Sequence, residues 1–178
     1  MSNETDHYRP VVAISACLLG QNVRYDGGHK YNQLIEKTLK PIAQITTFCP
    51  EVAAGLGTPR LPVKLVTMQT GSADIRAIGV DDRTLDVTDA LLKISKTYVA
   101  LFSHVDGIIF KARSPSCGLD DTVITDGNNT VLGSGIFAKI IAESCQHIAL
   151  IDEQKFIIPD LREKFLTQLF EKKPSPSD

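Results

Sequence analysis

Apolar positions fall into short runs separated by longer amphipathic stretches. Val11-Val12-Ala13-Ile14 follows a proline and is partly β-branched, which predicts a buried strand of an α/β sheet. After a turn at Asp26-Gly27-Gly28, residues from about His29 to Leu39 lack Gly and Pro. They place Tyr31, Leu34, Ile35 and Leu39 at helical spacing until Pro41 stops the helix. Ile42 to Phe48 reads as a second strand, and Val63 to Val80 as weaker strands around Gly71-Ser72. A helix is predicted from about Thr88 to Ser103, with Leu91, Leu92, Tyr98, Val99 and Phe102 on one face and Thr88 or Asp86 as cap. Gly107 to Phe110 is a third buried strand. Gly133-Ser134-Gly135 precedes another helix carrying Phe137, Ile140 and Ile141, and His147 to Ile151 is a further strand. The last helix starts at Asp160 with Glu163 completing a capping box, and turns Leu161, Phe165, Leu166, Leu169 and Phe170 inward.

Strands alternating with helices predict an α/β fold: a single doubly wound, mostly parallel sheet, Rossmann-like with three layers. No internal repeat or linker is visible, so residues 11–172 are read as one domain between a flexible N-terminus, 1–10, and a flexible tail, 173–178. The length of 178 residues suits one domain able to hold a core without metal or disulfide staples. A hydrophobic fraction of 43% with 22% charged residues excludes disorder as the main state. Lys and Arg number 19 against 21 Asp and Glu, a net charge of −2, so there is no broad basic field for phosphates and nucleic acid is not the expected ligand. No apolar run approaches the ~18 residues of a membrane span, and Met1 to Pro10 lacks the apolar core of a signal peptide. The expectation is a cytoplasmic protein with no membrane partner.

A reducing compartment argues against a disulfide framework for Cys17, Cys49, Cys117 and Cys145, and no CxxC pair is present. Inert packing is the default for an isolated cysteine. Three of the four depart from it by position, because Cys17, Cys49 and Cys117 each lie at or just beyond the carboxyl end of a predicted strand. Ligands of open α/β sheets bind outside those ends, where strand order reverses, so the three loops can converge. Thiolates suit zinc or iron–sulfur clusters, and a three-cysteine site leaves a metal position open, as catalytic metals do. Cys145, between a helix and a strand, keeps the packing reading. Glu51, behind Cys49-Pro50, has three readings: a helix-start carboxylate, a partner of Arg60, or an acid/base group. The Gly27 and Gly133–Gly135 turns either cradle an anion or serve tight geometry. Arg24, Arg60 and Arg113 either clamp a carboxylate or phosphate or are solvated. His7, His29, His104 and His147 show no paired metal-binding spacing.

Ser15-Ala16-Cys17-Leu18-Leu19-Gly20, Val23-Arg24-Tyr25-Asp26-Gly27, Cys49-Pro50-Glu51-Val52 with Gly55-Leu56, Pro59-Arg60-Leu61-Pro62 and Ser114-Pro115-Ser116-Cys117-Gly118 together resemble the thiouracil desulfidase family, over roughly Val11 to Ile151. The resemblance implies removal of sulfur from a small thiolated pyrimidine without net redox chemistry, giving uracil and sulfide. It implies a 4Fe-4S cluster bound by three cysteines, with one open iron for the substrate's sulfur. Carried over motif by motif, Cys17, Cys49 and Cys117 match the cluster-binding cysteines, Glu51 matches the acid/base residue, and Cys145 matches none. Ser114, with Ser116 as the alternative, is the expected hydroxyl that hydrogen-bonds substrate or relays a proton. The open iron would act as a Lewis acid on the thiocarbonyl while Glu51 deprotonates the attacking water and returns protons to the ring nitrogen or sulfide. The chain departs from its relatives at Ala53-Ala54, where a second Gly is common, and shows no added C-terminal domain. Relatives with that domain act on thiolated nucleosides, so free thiouracil bases are expected here and the nucleoside stays open. Three readings compete: a zinc-dependent hydrolase of a small heterocycle using the same three cysteines, a non-catalytic iron–sulfur sensor or carrier, and a single-cysteine nucleophile at Cys117.

Overall fold

The computed structural model describes residues 8–171. The expected tail at 173–178, and residues 1–7 of the expected flexible N-terminus, lie outside them. Within that range the chain runs β1 (Val11–Ser15), α1 (Gln33–Leu39), β2 (Gln44–Phe48), α2 (Pro50–Ala53), β3 (Val63–Thr67), β4 (Ile75–Gly79) and α3 (Thr88–Leu101). It continues with β5 (Gly107–Phe110), β6 (Thr122–Asp126), β7 (Asn129–Gly133), α4 (Ile136–Ser144), β8 (Ala149–Asp152), α5 (Glu153–Ile157) and α6 (Pro159–Glu171). Short 3-10 turns follow β1 at Ala16–Leu19 and α3 at Phe102–His104.

One sheet has the order β2-β1-β5-β8 with every pair parallel, as the alternation of apolar runs and helices predicts. Both its faces are covered, which is why β1 and β5 are almost continuously apolar. Val12, Ile14, Ile109 and Ile151 pack against Ile35 and Leu39 of α1, Phe156 of α5, and Phe165 and Leu169 of α6. Ala13, Ile108 and Phe110 point to the other face, onto Phe102 and onto Phe137 and Ile141 of α4. Gly107 lets α6 lie directly on β5, since a Cβ there would sit 2.4 Å from Leu169 Cδ2 and 2.9 Å from Phe165 Cζ.

A second four-stranded sheet, β4-β3-β6-β7, was not announced by the sequence as a separate unit. The weaker strands expected between Val63 and Val80 are β3 and β4, paired antiparallel. The unforeseen hairpin β6–β7 joins them through a parallel β3–β6 pair, and Gly127 at φ 61° opens its two-residue turn. Leu65, Ala77 and Ile124 of this sheet bury against Leu91 of α3.

Local chemistry shifts several helix ends. The first helix begins at Gln33 rather than His29 because the Asn32 side chain accepts the Leu34 and Ile35 N–H groups; Tyr31 and Leu34 are left exposed, with the Tyr31 hydroxyl donating to Glu36. At α3 the N-cap position falls on Val87 rather than on Thr88 or Asp86: Asp86 accepts the Thr88 N–H at 2.9 Å from just outside the helix, and Thr88 Oγ1 accepts the N–H of Ala77 on β4 at 2.8 Å. The last helix starts at Pro159, whose fixed φ suits a first helical position. Phe165 and Leu169 face inward there, whereas Leu161 and Phe170 are exposed. Asp152 caps the unforeseen short helix α5 by accepting the Gln154 and Lys155 N–H groups.

Phe137 is fully buried and its ring lies 5.3–6.3 Å from those of Phe48, Tyr98, Phe102 and Phe110. Phe137→Ala is expected to cost about 3–5 kcal/mol in urea denaturation. Leu132→Ala, at a side chain that is 68% exposed on β7, should change stability by less than about 0.5 kcal/mol.

Candidate functional site

From β1 the sheet steps to β2 on one side and to β5 on the other, so strand order reverses beside β1 and three carboxyl ends become neighbours. Each leads into a cysteine loop. After β1 the 3-10 turn holds Cys17, and Gly20, at φ 84°, ends the turn with its N–H bonded to the Cys17 carbonyl. After β2, Cys49 occupies the N-cap position of α2 with Pro50 behind it, and its thiol donates to the Val23 carbonyl at 3.8 Å. After β5, the Lys111–Gly118 loop is folded by Ser114 Oγ, which accepts the N–H groups of Ser116 and Cys117 at 3.3 and 3.1 Å. Gly135 docks α4 on this loop: a Cβ would lie 2.5–2.7 Å from the Ser114 and Ser116 backbones. The Gly135 and Gly27 turns therefore serve tight geometry, with Gly27 at φ 76° and Asp26 Oδ1 accepting the Gly28 N–H.

A cavity of about 540 Å³ opens at the switch point, lined by Cys17, Cys49, Cys117, Glu51, Ser114 and Ser116. Cys17 and Cys117 are buried and Cys49 is half-buried. Burial pushes the Cys17 thiol up to about 11, against the pull of the Lys111 and Arg24 charges. It also raises Cys49, and it raises Cys117 well above an ordinary thiol, with Cys49 and Glu51 adding to that rise. The three sulfurs thus lie close enough to feel one another. Cys145 is raised by burial alone and sits in the core with Phe137 and Ile141.

Glu51 is buried and its two oxygens are divided. Oε2 takes Arg60 Nε at 2.7 Å and Arg60 Nη2 at 2.6 Å, while Oε1 accepts the Ser116 hydroxyl at 2.6 Å. Ser116 Oγ is 3.1 Å from Ser114 Oγ, so a line of hydrogen bonds runs from Ser114 through Ser116 to Glu51. Glu51 is at once a first-turn carboxylate of α2 and the partner of Arg60, and these structural roles coexist with its place in the cavity. Sequence reasoning ranked Ser114 first; the structure gives Ser116 the contact with Glu51. It also missed Lys111 and Glu153, whose Nζ and Oε1 are 2.5 Å apart, with Glu153 Oε2 accepting the Ala112 N–H at 2.5 Å. The available clue was an acidic residue just past the carboxyl end of the neighbouring strand β8.

Three thiols border one cavity, a donor set that fits a sulfur-ligated metal group. Arg24 lines that cavity, and its Nε–H is buried without a hydrogen-bond partner among the described residues. Fold and site together define an α/β protein with a three-thiol, carboxylate-backed pocket at the switch point of a parallel sheet. The chain belongs to the 2-thiouracil desulfurase family, whose sequence pattern matches residues 12–154. It is 26% identical over 144 residues to the uncharacterized protein YbbK of Bacillus subtilis (strain 168), covering 75% of this chain and 91% of that protein. It is also similar to a solved structure of the [4Fe-4S]-dependent thiouracil desulfidase TudS, with a TM-score of 0.64 and 27% identity over 89% of this chain and 99% of that one.

Arg60→Met would leave the Glu51 carboxylate buried and unpaired. A loss of about 3–5 kcal/mol in urea denaturation is expected, and Arg60→Met combined with Glu51→Leu should recover part of it, because the unpaired charge is then gone.

Proposed function

We propose that this protein is a thiouracil desulfidase that binds a small thiolated pyrimidine in the switch-point cavity and exchanges its sulfur for the oxygen of water, releasing uracil and sulfide. The observation that carries this reading is the convergence of Cys17, Cys49 and Cys117 with the Ser114–Ser116–Glu51 line in one cavity, in a chain of this family. When bound, a 4Fe-4S cluster held by the three cysteines, with one iron free of protein ligands, supplies a thiophilic Lewis acid for the thiocarbonyl sulfur. The likeness to TudS supports that cofactor.

The chain's own groups handle the protons. Arg60 occupies Oε2 of Glu51, so proton traffic uses Oε1, the oxygen bonded to Ser116. Both serines line the cavity, but Ser116 is buried whereas Ser114 is half-buried and so the more accessible. Ser114 is therefore the hydroxyl that meets substrate or water, Ser116 the relay, and Glu51 the terminal acid/base. A sensor or carrier has no use for the serine-linked carboxylate.

Protein purified without oxygen should contain iron and acid-labile sulfide in near-equal amounts and release sulfide from 2- or 4-thiouracil. Stoichiometric zinc with activity surviving iron chelation would overturn the reading. Glu51→Gln should keep its iron and lose about 10²–10⁴-fold in turnover. Ser114→Ala and Ser116→Ala should also keep iron and lose activity; wild-type rates in both would remove the relay. Turnover of a thiolated nucleoside beside the base decides the substrate's size.

A further inference from the structure

Among the described residues, two other than glycine hold a positive φ: Asp120 at 63° and Arg113 at 58°. An aspartate reaches the left-handed region readily, because its short polar side chain bonds locally. An arginine there crowds its Cβ against the backbone, and glycine would take the same conformation without that cost. The conformation is imposed by the neighbours. Asp121 Oδ1 accepts the Arg113 N–H at 2.9 Å, and the next carbonyl, that of Ser114, accepts Thr122 Oγ1 at 3.0 Å and the Gly118 N–H at 2.8 Å. Glycine would serve this backbone better, so the arginine side chain is there for something other than the fold.

That side chain has a place to act. Arg113 lines the cavity, is exposed, and makes no ion pair among the described residues, whereas Arg60 is paired with Glu51 and Lys111 with Glu153. Lys30 and Lys64 also line the cavity without an ion pair among the described residues, but each stands on backbone of ordinary φ and neither is next in sequence to the serines or Glu51. Arg113 directly precedes Ser114, the hydroxyl assigned to meet substrate or water, so both side chains leave the same stretch of the cavity wall. A monothiolated uracil carries one thiocarbonyl and one carbonyl. The reaction removes the sulfur, which leaves the carbonyl oxygen as the acceptor by which the ring is held in a fixed orientation, and a rigid fork of N–H donors suits that task.

We propose that Arg113 is a substrate-binding residue whose guanidinium donates to the ring carbonyl oxygen of the thiolated pyrimidine, and so orients the thiocarbonyl away from itself. The proposal rests on the desulfidase reading given under the proposed function. The strained backbone at Arg113 is the cost of holding that fork beside Ser114. Arg113 binds the part of the ring that does not react and takes no proton during turnover.

The test compares the full-length wild type with Arg113→Gly and Arg113→Lys, all purified without oxygen. Arg113→Gly removes the side chain while suiting the positive φ, so it should keep its iron and unfold at the wild-type temperature or above it. Its KM for 2-thiouracil should rise roughly 10–100-fold, the loss of a hydrogen bond to a charged donor, with kcat much less affected. Arg113→Lys keeps a charge but not the fork, and its KM should fall between the two. A second substrate reads the contact itself. In 2,4-dithiouracil the carbonyl is replaced by a poorer acceptor, so the wild-type preference for 2-thiouracil over it, in kcat/KM, should shrink about as much in Arg113→Gly as KM rises. A wild-type KM in Arg113→Gly, or an unchanged preference between the two substrates, overturns the contact. Lower thermal stability or lost iron in Arg113→Gly assigns the side chain to the fold and overturns the proposal as well. Each of these leaves the desulfidase reading intact, whereas a loaded wild type that releases no sulfide from thiouracil overturns that reading and this proposal with it.

Discussion

The placement of β1 between two parallel neighbours is the constraint on which the site depends. Hydrogen-bonded strands lie ~4.8 Å apart, so the carboxyl ends of β2, β1 and β5 fall within about 10 Å of one another. Parallel pairing puts those three ends at the same edge, and no tight hairpin intervenes because parallel strands need long crossovers. The register is pinned at the site itself: Ser15, opposite Phe48, accepts the Lys111 N–H at 3.0 Å and so ties the exit of β1 to that of β5. Cysteines separated by 32 and 68 positions in sequence become neighbours by backbone pairing alone.

Buried ion pairs then hold the loops. Arg60 bonds Glu51 on α2 and the carbonyls of Val23 and Gly57, and Val23 also takes the Cys49 thiol, so one guanidinium fixes three segments around that sulfur. Lys111 and Glu153 do the same between the exit of β5 and the start of α5. Buried pairs of this kind gain little over apolar packing in net stability, but losing one partner is expensive, which makes them better at fixing geometry than at adding free energy. The thiols they surround are raised by burial and so are neutral as free side chains; holding a metal group would require them as thiolates, with release of their protons.

The parallel sheet and the three converging cysteines were legible because their signals are local: a short apolar run followed within seven residues by a cysteine, three times. The β6–β7 hairpin was not, since Thr122–Asp126 and Asn129–Gly133 mix polar and apolar residues and β7 is largely exposed. The partner of β6 is β3, with Leu65 opposite Ile124, a pairing no local pattern reveals. For the same reason Arg60 could be named as a partner for Glu51 from its motif but Glu153 could not be named for Lys111. Ser114 and Ser116 were separable only by geometry, because two serines flanking a proline carry the same sequence signal and differ in which hydroxyl is turned toward Glu51.

The second sheet, least visible in sequence, completes the cavity. Val63 and Leu65 of β3 and Thr122 and Val123 of β6 line it opposite the cysteine loops. An open crevice at the edge of a parallel sheet would leave thiolates, guanidinium and carboxylate to be screened by water; a wall beside them lowers the local dielectric and strengthens every one of those interactions. The division of labour follows from topology. The thiols and the carboxylate come from loops after the strands of one sheet, where the backbone is free to turn, and part of the wall comes from strands of the other. The motifs that carry the family likeness accordingly gather in those loops, while the strands opposite follow only the looser rules of packing.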